Sequence, residues 1–239
     1  MKILSIVIPA YNEEKFITDL LEKVLSIDTE SVGYKKEIIV VDDCSKDSTF
    51  ELASKFDSVK VFKLEVNQGK GAAVQYGVAK SEGDYILVQD ADLEYNPDDY
   101  IPMLKALGPD TSVYGSRVLR SKELSKGTFF KSKHPDQELG PWLAGRILSI
   151  WAFFFFQTWI SDTLTAYKIY PGKLLKSFNV KTNGFETDHE LTAKLIKSGI
   201  KIIEVPIDYI PRSVEEGKKI KSSDFFIAVW TFLRFRFVN

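Results

Sequence analysis

The chain has 239 residues, of which 44% are hydrophobic and 27% charged, an ordinary globular composition with room for one large α/β domain and none for overall disorder. Lys and Arg number 32 against 33 Asp and Glu, a net charge of −1, which excludes the broad basic footprint of a nucleic-acid binder. Cys44 is the single cysteine and His134 and His189 are the two histidines, too few for an internal disulfide, a Cys-rich zinc site or a histidine metal site, and in keeping with a reducing compartment. The charge is uneven along the chain. Residues 1–159 carry 19 basic and 24 acidic side chains, whereas 160–239 carry 13 and 9, so an anionic group is expected to sit in the carboxyl-terminal third.

In chain order, the first apolar run stops at Pro9, too short for the core of a signal peptide, and reads as a buried strand over Ile3–Ile8. Glu37–Val41, Val59–Leu64 and Tyr85–Gln89 are further short runs rich in Val and Ile, as strands covered on both faces are. Helical stretches alternate with them. Asn12 is the expected cap of Glu13–Ile27, Ser45 or Asp47 caps the segment to Phe56, and Gly69 or Gly71 opens a helix to about Lys80. This alternation predicts a parallel sheet with crossover helices. From Val118 to Gly140 the pattern lapses into a polar stretch of mixed charge, expected to be a mobile functional loop. An aromatic helix over 141–158, a strand near Ala166–Ile169, a helix at 187–198 with His189 on its surface, and the strand Lys201–Ile207 follow.

The most apolar segment, Ile147–Phe156, has ten residues where a bilayer span needs about 20. Asp224–Phe237 is aromatic-rich and broken by Arg234 and Arg236, the composition of an interfacial helix. The bland alternative is that both helices pack in the core or in a homo-oligomer interface. The expected organisation is a single domain over 1–210, followed by a basic segment and an amphipathic helix over 211–239.

The first, second and fourth strands end in Pro9-Ala10-Tyr11-Asn12-Glu13, Asp42-Asp43 and Asp90-Ala91-Asp92, and open α/β sheets bind ligands at that edge. Two carboxylates separated by one small residue offer a hard cation such as Mg²⁺ the one or two oxygen donors it takes from protein beside substrate phosphates. Glu94 is a possible third or outer ligand. Such an ion would neutralise charge growing on a leaving diphosphate, although a bare Asp-x-Asp is often only a helix cap. Gly69-Lys70-Gly71 fits neither the Walker pattern nor a dinucleotide fingerprint. Its glycines either let the chain turn into the helix or bring backbone amides and Lys70 to a nucleotide.

The phrases Val7-Ile8-Pro9-Ala10-Tyr11-Asn12-Glu13-Glu14, Val41-Asp42-Asp43-Cys44-Ser45, Asn67-Gln68-Gly69-Lys70-Gly71-Ala72, Asp90-Ala91-Asp92-Leu93-Glu94, Tyr114-Gly115-Ser116-Arg117, Asp162-Thr163-Leu164-Thr165-Ala166-Tyr167-Lys168, and Pro211-Arg212 with Glu216-Gly217-Lys218-Lys219 occur in order. Together they resemble glycosyltransferase family 2, the GT-A fold, and within it the polyprenyl-phosphate sugar transferases related to dolichyl-phosphate mannose and glucose synthases. The resemblance implies a Rossmann-like, mostly parallel sheet with a nucleotide-sugar half near 1–117 and an acceptor half near 118–210. It implies that Pro9, Tyr11 and Glu13 line the base and ribose pocket, that Asp42 contacts the base, and that Asp90 and Asp92 hold Mg²⁺ or Mn²⁺ and the donor diphosphate, with Ala91 between them. Arg117, Arg212 and Lys219 would be the phosphate-binding cations. Cys44 and Ala166 stand where the family often has Gly, and Glu94 where mannose synthases often have Gln, which counts against a mannose assignment.

A sugar hydroxyl needs a general base before it can attack an anomeric carbon. A lipid monophosphate, with a second pKa near 6 by analogy with phosphoserine, is already largely an oxyanion at neutral pH. It needs cations, which Arg117, Arg212, Lys218 and Lys219 would supply. The expectation is an inverting, metal-dependent hexose transfer from a nucleoside diphosphate sugar (UDP- or GDP-linked) to a polyprenyl phosphate, by a protein peripheral at the cytoplasmic face of the membrane. The alternatives are transfer to a sugar hydroxyl, with Asp162 as the nominated base and Glu186 as a second carboxylate facing the acceptor, and a non-catalytic nucleotide-sugar binding module.

Overall fold

The apolar runs pair into one sheet. A computed structural model describes residues 1–124, 139–211 and 223–238. Its seven strands are β1 (Lys2–Ala10), β2 (Tyr34–Asp42), β3 (Val59–Lys63), β4 (Tyr85–Val88), β5 (Thr111–Ser116), β6 (Lys168–Pro171) and β7 (Lys201–Pro206), in the order β3-β2-β1-β4-β6-β5-β7. All neighbours are parallel except at β6, which runs antiparallel to both β4 and β5. The expected parallel sheet is therefore mixed at one strand.

Alternation along β1 explains the two layers that cover the sheet. Leu4, Ile6 and Ile8 face a cluster formed with Ile17, Leu20, Leu21 and Val24 of α1 (Ile17–Ser26), Ala53 of α2 (Thr49–Ala53), and Tyr100 and Met103 of α4 (Tyr100–Lys105). Val7 faces the other side, with Val74 and Val78 of α3 (Lys70–Lys80), Leu175 of α7 (Gly172–Ser177), and Leu191 and Leu195 of α8 (Thr187–Lys197). Period-two alternation on a strand sends successive side chains to opposite faces, so a strand apolar at every position is buried on both.

Several boundaries move for local reasons. Asn12 caps no helix: it has φ +53, and its carboxamide oxygen accepts from Lys46 N at 2.9 Å. The Glu13 carbonyl accepts from Phe16 N and Ile17 N, and α1 starts after that turn. The N-cap of α2 is Ser48 rather than Ser45 or Asp47; Asp47, one residue earlier, accepts from Thr49 N at 3.1 Å. The expected loop from Val118 opens instead as a helix, α5 (Arg117–Leu124); the rest of it, 125–138, lies outside the described residues.

The two aromatic helices, α6 (Leu139–Phe156) and α9 (Ser223–Phe237), form a third layer on α8. Leu148 and Ala152 of α6 meet Ala193 of α8 and Ala228, Phe232 and Phe235 of α9, and Trp151 Nε1 donates to Val229 O at 3.2 Å. His189, expected at the surface, is buried beneath this layer, its ring 5.1 Å from that of Phe232. Burial, with Lys168 nearby, pulls its pKa down to about 3, so it is neutral in the folded protein.

A histidine buried neutral takes up protons on unfolding. Its contribution to stability is whole above its ordinary value of 6.5 and is lost as pH falls from there through about 3. Thermal unfolding between pH 7 and 4 is expected to show a falling Tm in the native protein and a flatter profile in His189→Gln. Parallel profiles would show that His189 is not the titrating group.

Candidate active site

Strand register brings the three polar ends level: Ala10 pairs with Asp42 across β1 and β2, and Val7 pairs with Val88 across β1 and β4. The loops beyond are tied to one another. Asn12 N donates to Ser45 Oγ at 2.9 Å and Glu13 N to Thr49 Oγ1 at 2.8 Å. Asp43 accepts from Gln68 N and Gly69 N, both at 2.8 Å, fixing the turn into α3. Asn12, Cys44 and Leu93 each have left-handed backbone, with φ +53, +61 and +58. A non-glycine residue there is strained by about 1 kcal/mol, and such strain collects at functional loops. This is why glycine suits the position of Cys44. Ala166 needs no such freedom, and its methyl joins the core.

Of the residues expected at the donor, Pro9 is buried at the end of β1, Glu13 is buried under its loop, and Tyr11 is partly covered. Asp42 is fully buried, accepting from Ser45 N at 3.1 Å with Lys63 Nζ at 3.7 Å. Ala91 turns its methyl into the core, leaving Asp90 and Asp92 on the partly exposed side. Lys70 Nζ lies 2.6 Å from Asp90 Oδ1 and 3.8 Å from Asp188 Oδ2. Burial lowers its pKa, but Asp90 and Asp188 outweigh that and hold it above the ordinary lysine value. Gly69, at φ +95, and Gly71 lie where a Cβ would strike the backbone of Asn183 or the side chain of Thr187, so these glycines serve a close approach between α3 and the 183–187 segment.

Glu94 is turned to a different neighbour. Its carboxylate accepts from Tyr209 OH at 2.9 Å, and its backbone N donates to Asp92 Oδ1 at 3.2 Å. Among the described residues no three His, Cys, Asp or Glu side chains gather into a ready metal cage. The donor set still suits a hard divalent ion that takes two protein carboxylates and completes its shell with phosphate and water. Asp90 already carries a cation, the Lys70 ammonium, at 2.6 Å.

At the end of β5 cations stand among carboxylates. Arg117 forms a two-pronged pair with Asp162, Nε to Oδ2 at 2.7 Å and Nη2 to Oδ1 at 2.8 Å, and its backbone N adds a third bond at 3.1 Å. Its guanidinium lies 4.9 Å from the Tyr209 ring centre. Burial would raise the pKa of Asp162, but the Arg117 partner outweighs it and holds the carboxyl below the ordinary value. A carboxylate so held is a weak proton acceptor. Glu186, the other nominated carboxylate, folds back on Gly184 N at 3.3 Å. Arg212, Lys218 and Lys219 lie outside the described residues.

Two residues escaped the sequence reading. Arg146, the lone charge on the apolar face-to-face helix α6, donates to Ser161 O, and its buried Nε has no partner among the described residues. Burial pulls its pKa down, and Arg117 adds to that. The signal was present as a single arginine inside a run of Leu, Ile and aromatic residues. Asp188 carried no signal beyond its place in the first turn of a helix.

The α/β sheet with helices on both faces, carrying acidic strand ends, is the architecture of GT-A glycosyltransferases. Glucosyl-3-phosphoglycerate synthase from Mycobacterium tuberculosis in complex with UDP superposes with a TM-score of 0.67 at 19% identity, over 100% of this chain and 81% of that one; the same protein solved with Mg²⁺ and UDP gives 0.66 at 20%. The family model Glycosyl transferase family 2 matches residues 5–158, and the chain belongs to that family. It is 41% identical over 101 residues to the dolichyl-phosphate beta-glucosyltransferase of Homo sapiens, covering 38% of this chain and 31% of that protein. It is 29% identical over 219 residues to the dolichol-phosphate mannosyltransferase of Pyrococcus furiosus, covering 90% of this chain and 58% of that protein. The chain thus spans less than two thirds of either relative.

Removing one partner of a buried ion pair strands the other charge and costs about 3 kcal/mol or more. Asp162→Asn is expected to lower stability by that order in urea unfolding at pH 7. The stability Asp162 contributes is whole above its ordinary pKa of 3.8 and lost as pH falls through the lowered folded value, so the two proteins should converge in acid. A constant difference down to pH 2 would contradict the pairing.

Proposed function

We propose that the chain is an inverting glycosyltransferase that moves a hexose from a nucleoside diphosphate sugar, UDP- or GDP-linked, to a polyprenyl phosphate. The observation that carries this reading is the division of the sheet edge: carboxylates Asp42, Asp90 and Asp92 at the ends of β2 and β4, and the cations Arg117 and Arg146 beside the end of β5. An anionic donor with its cation fits the first half, and an anionic acceptor the second. The family, the dolichyl-phosphate relatives, and the structural neighbours solved with UDP and with Mg²⁺ or Mn²⁺ support it.

Pro9, Tyr11, Glu13 and Asp42 receive the nucleoside, and Asp90 and Asp92 are the protein ligands of a divalent cation whose chemistry, when bound, is to neutralise the leaving diphosphate. Arg117, oriented by Asp162, and Arg146 take the acceptor phosphate, joined by Arg212, Lys218 and Lys219. The phosphate oxygen forms the new bond to the anomeric carbon. The bond from that carbon to the diphosphate breaks, and its electron pair goes to the diphosphate oxygen. No proton changes hands in that step, so no general base is required, in keeping with Asp162 serving Arg117 as a positioning residue.

Asp92→Asn is expected to cut transfer about 100-fold or more, the scale of losing one electrostatic contact to a leaving group. The assay is labelled UDP- or GDP-hexose with membrane lipid extract, read as organic-soluble, mild-acid-labile product. Label recovered only in water-soluble glycan would favour a hydroxyl acceptor, and full activity of the variant would contradict the metal assignment.

The acceptor reading also places the aromatic layer at a lipid surface. No helix among the described residues is long and apolar enough to cross a membrane. Yet Phe154 of α6 is 69% exposed, and Trp230 and Phe237 of α9 are 61% and 76% exposed, while the opposite faces of the same helices pack on α8. Each helix thus has one packed face and one bare aromatic face, which supports a lipid-facing role beside the packing one. The expected location is peripheral, at the cytoplasmic face. Trp230→Asp is expected to weaken co-sedimentation with phosphatidylcholine–phosphatidylglycerol vesicles about ten-fold, on the transfer energy of one large side chain, with no loss of Tm. Unchanged sedimentation would exclude this surface from lipid contact.

A further inference from the structure

Lys70 bridges two carboxylates from distant parts of the chain. Asp90 lies just beyond β4 and Asp188 in the first turn of α8, at 2.6 and 3.8 Å from the Lys70 ammonium, with the Phe185 ring centre 5.8 Å away. Asp188 in turn faces the fully buried Lys168, whose Nζ is 4.0 Å away and also donates to Thr192 Oγ1 at 3.3 Å. Charge therefore alternates in a row: Asp90, Lys70, Asp188, Lys168. The backbone under Lys70 is held on both sides. Asp43 binds Gln68 N and Gly69 N, Ala72 N donates to Asn183 O at 3.1 Å, and neither Gly69 nor Gly71 has room for a Cβ. What can move is the flexible stem of the lysine itself, between two acidic seats that already lie within its reach.

We propose that Lys70 is a resident counter-cation that closes the metal site to a free divalent ion, with Asp188 as the seat it retires to when that ion is bound. The inference rests on Asp90 and Asp92 as the ion's protein ligands. A divalent cation on Asp90 and an ammonium 2.6 Å from the same carboxylate repel each other at close range. An ion arriving alone must displace Lys70 from its nearer partner and gains no anion in exchange. A nucleoside diphosphate alters that balance, because its oxygens offer the ion further ligands and the displaced ammonium a new partner. Asp188 keeps the ammonium beside the site rather than releasing it to water. The same lysine then serves two states: it neutralises Asp90 when the site is empty of ligand and faces the diphosphate when it is filled.

Manganese binding in the absence of any nucleotide, followed by electron paramagnetic resonance of free Mn²⁺, tests this. Lys70→Met and Lys70→Gln are expected to bind Mn²⁺ about ten-fold more tightly than the native protein, equivalent to about 1.4 kcal/mol. Lys70→Arg keeps the weak native affinity, and Asp188→Asn, which removes the second seat, binds more weakly still. Thermal unfolding in EDTA checks that each variant is folded, and the two neutral replacements guard against failure of either. Unchanged or weaker Mn²⁺ binding in both neutral variants, with binding still abolished by Asp90→Asn, would overturn the role of Lys70 and leave the metal ligands in place. Mn²⁺ binding indifferent to Asp90→Asn would overturn both.

Discussion

The level carboxyl ends of β1, β2 and β4 are the constraint from which the rest follows. Parallel register sets them: with Ala10 opposite Asp42 and Val7 opposite Val88, the next residues of each strand must emerge at one edge. A slip of one residue in any pair would send every side chain of that strand to the opposite face. The buried apolar residues on both faces of β1 forbid that slip, so the packing that stabilises the sheet also fixes where its acidic ends lie.

Charge at that edge is managed by pairing each buried group with a named partner. Asp43 is spent on backbone amides of the α3 turn, Asp90 on Lys70, Asp162 on Arg117, and Glu204 on Ser161 and the backbone of Asp162. Burial raises the pKa of Glu204 while the Arg117 partner lowers that of Asp162, so two carboxylates a few residues apart in space behave differently for stated reasons. Asp162 holds Arg117 by both oxygens, a geometry that fixes the guanidinium plane. Arg146 lies next to it, its buried Nε without a partner among the described residues. A buried guanidinium nitrogen without a partner is costly unless a ligand supplies one, which supports the proposed acceptor site there.

Much of this was legible in the residues. Short Val- and Ile-rich runs located the first four strands; β1, β2 and β4 are largely buried on both faces, whereas β3, expected to be covered in the same way, is a half-exposed edge strand. The acidic phrases after them located the edge. What the sequence concealed depends on tertiary neighbours. The antiparallel β6 is four residues long and carries the same apolar signal whichever way it runs. Thr111–Ser116 reads as polar and small until its partners β6 and β7 are known. His189 sits in a polar stretch of its own helix and is buried with Phe232 of α9, from a distant part of the chain, against it. Asp188 gained its place in the same way, by facing Lys70 across 118 positions, whereas Glu186, two residues earlier, is turned back on its own loop. Asn12 looked like a helix cap by residue type and is instead a cross-link between loops, its left-handed backbone invisible in the sequence.

The central claim is that the carboxylates at the end of β4 hold the divalent ion against which the nucleoside diphosphate is bound. Anomalous diffraction at the manganese edge, from crystals soaked with Mn²⁺ and UDP or GDP, tests it most directly. The account predicts one strong peak within bonding distance of the Asp90 and Asp92 carboxylates, with the diphosphate on its far side and the Lys70 ammonium moved off Asp90. A nucleotide bound elsewhere, or a peak away from both carboxylates, would contradict it.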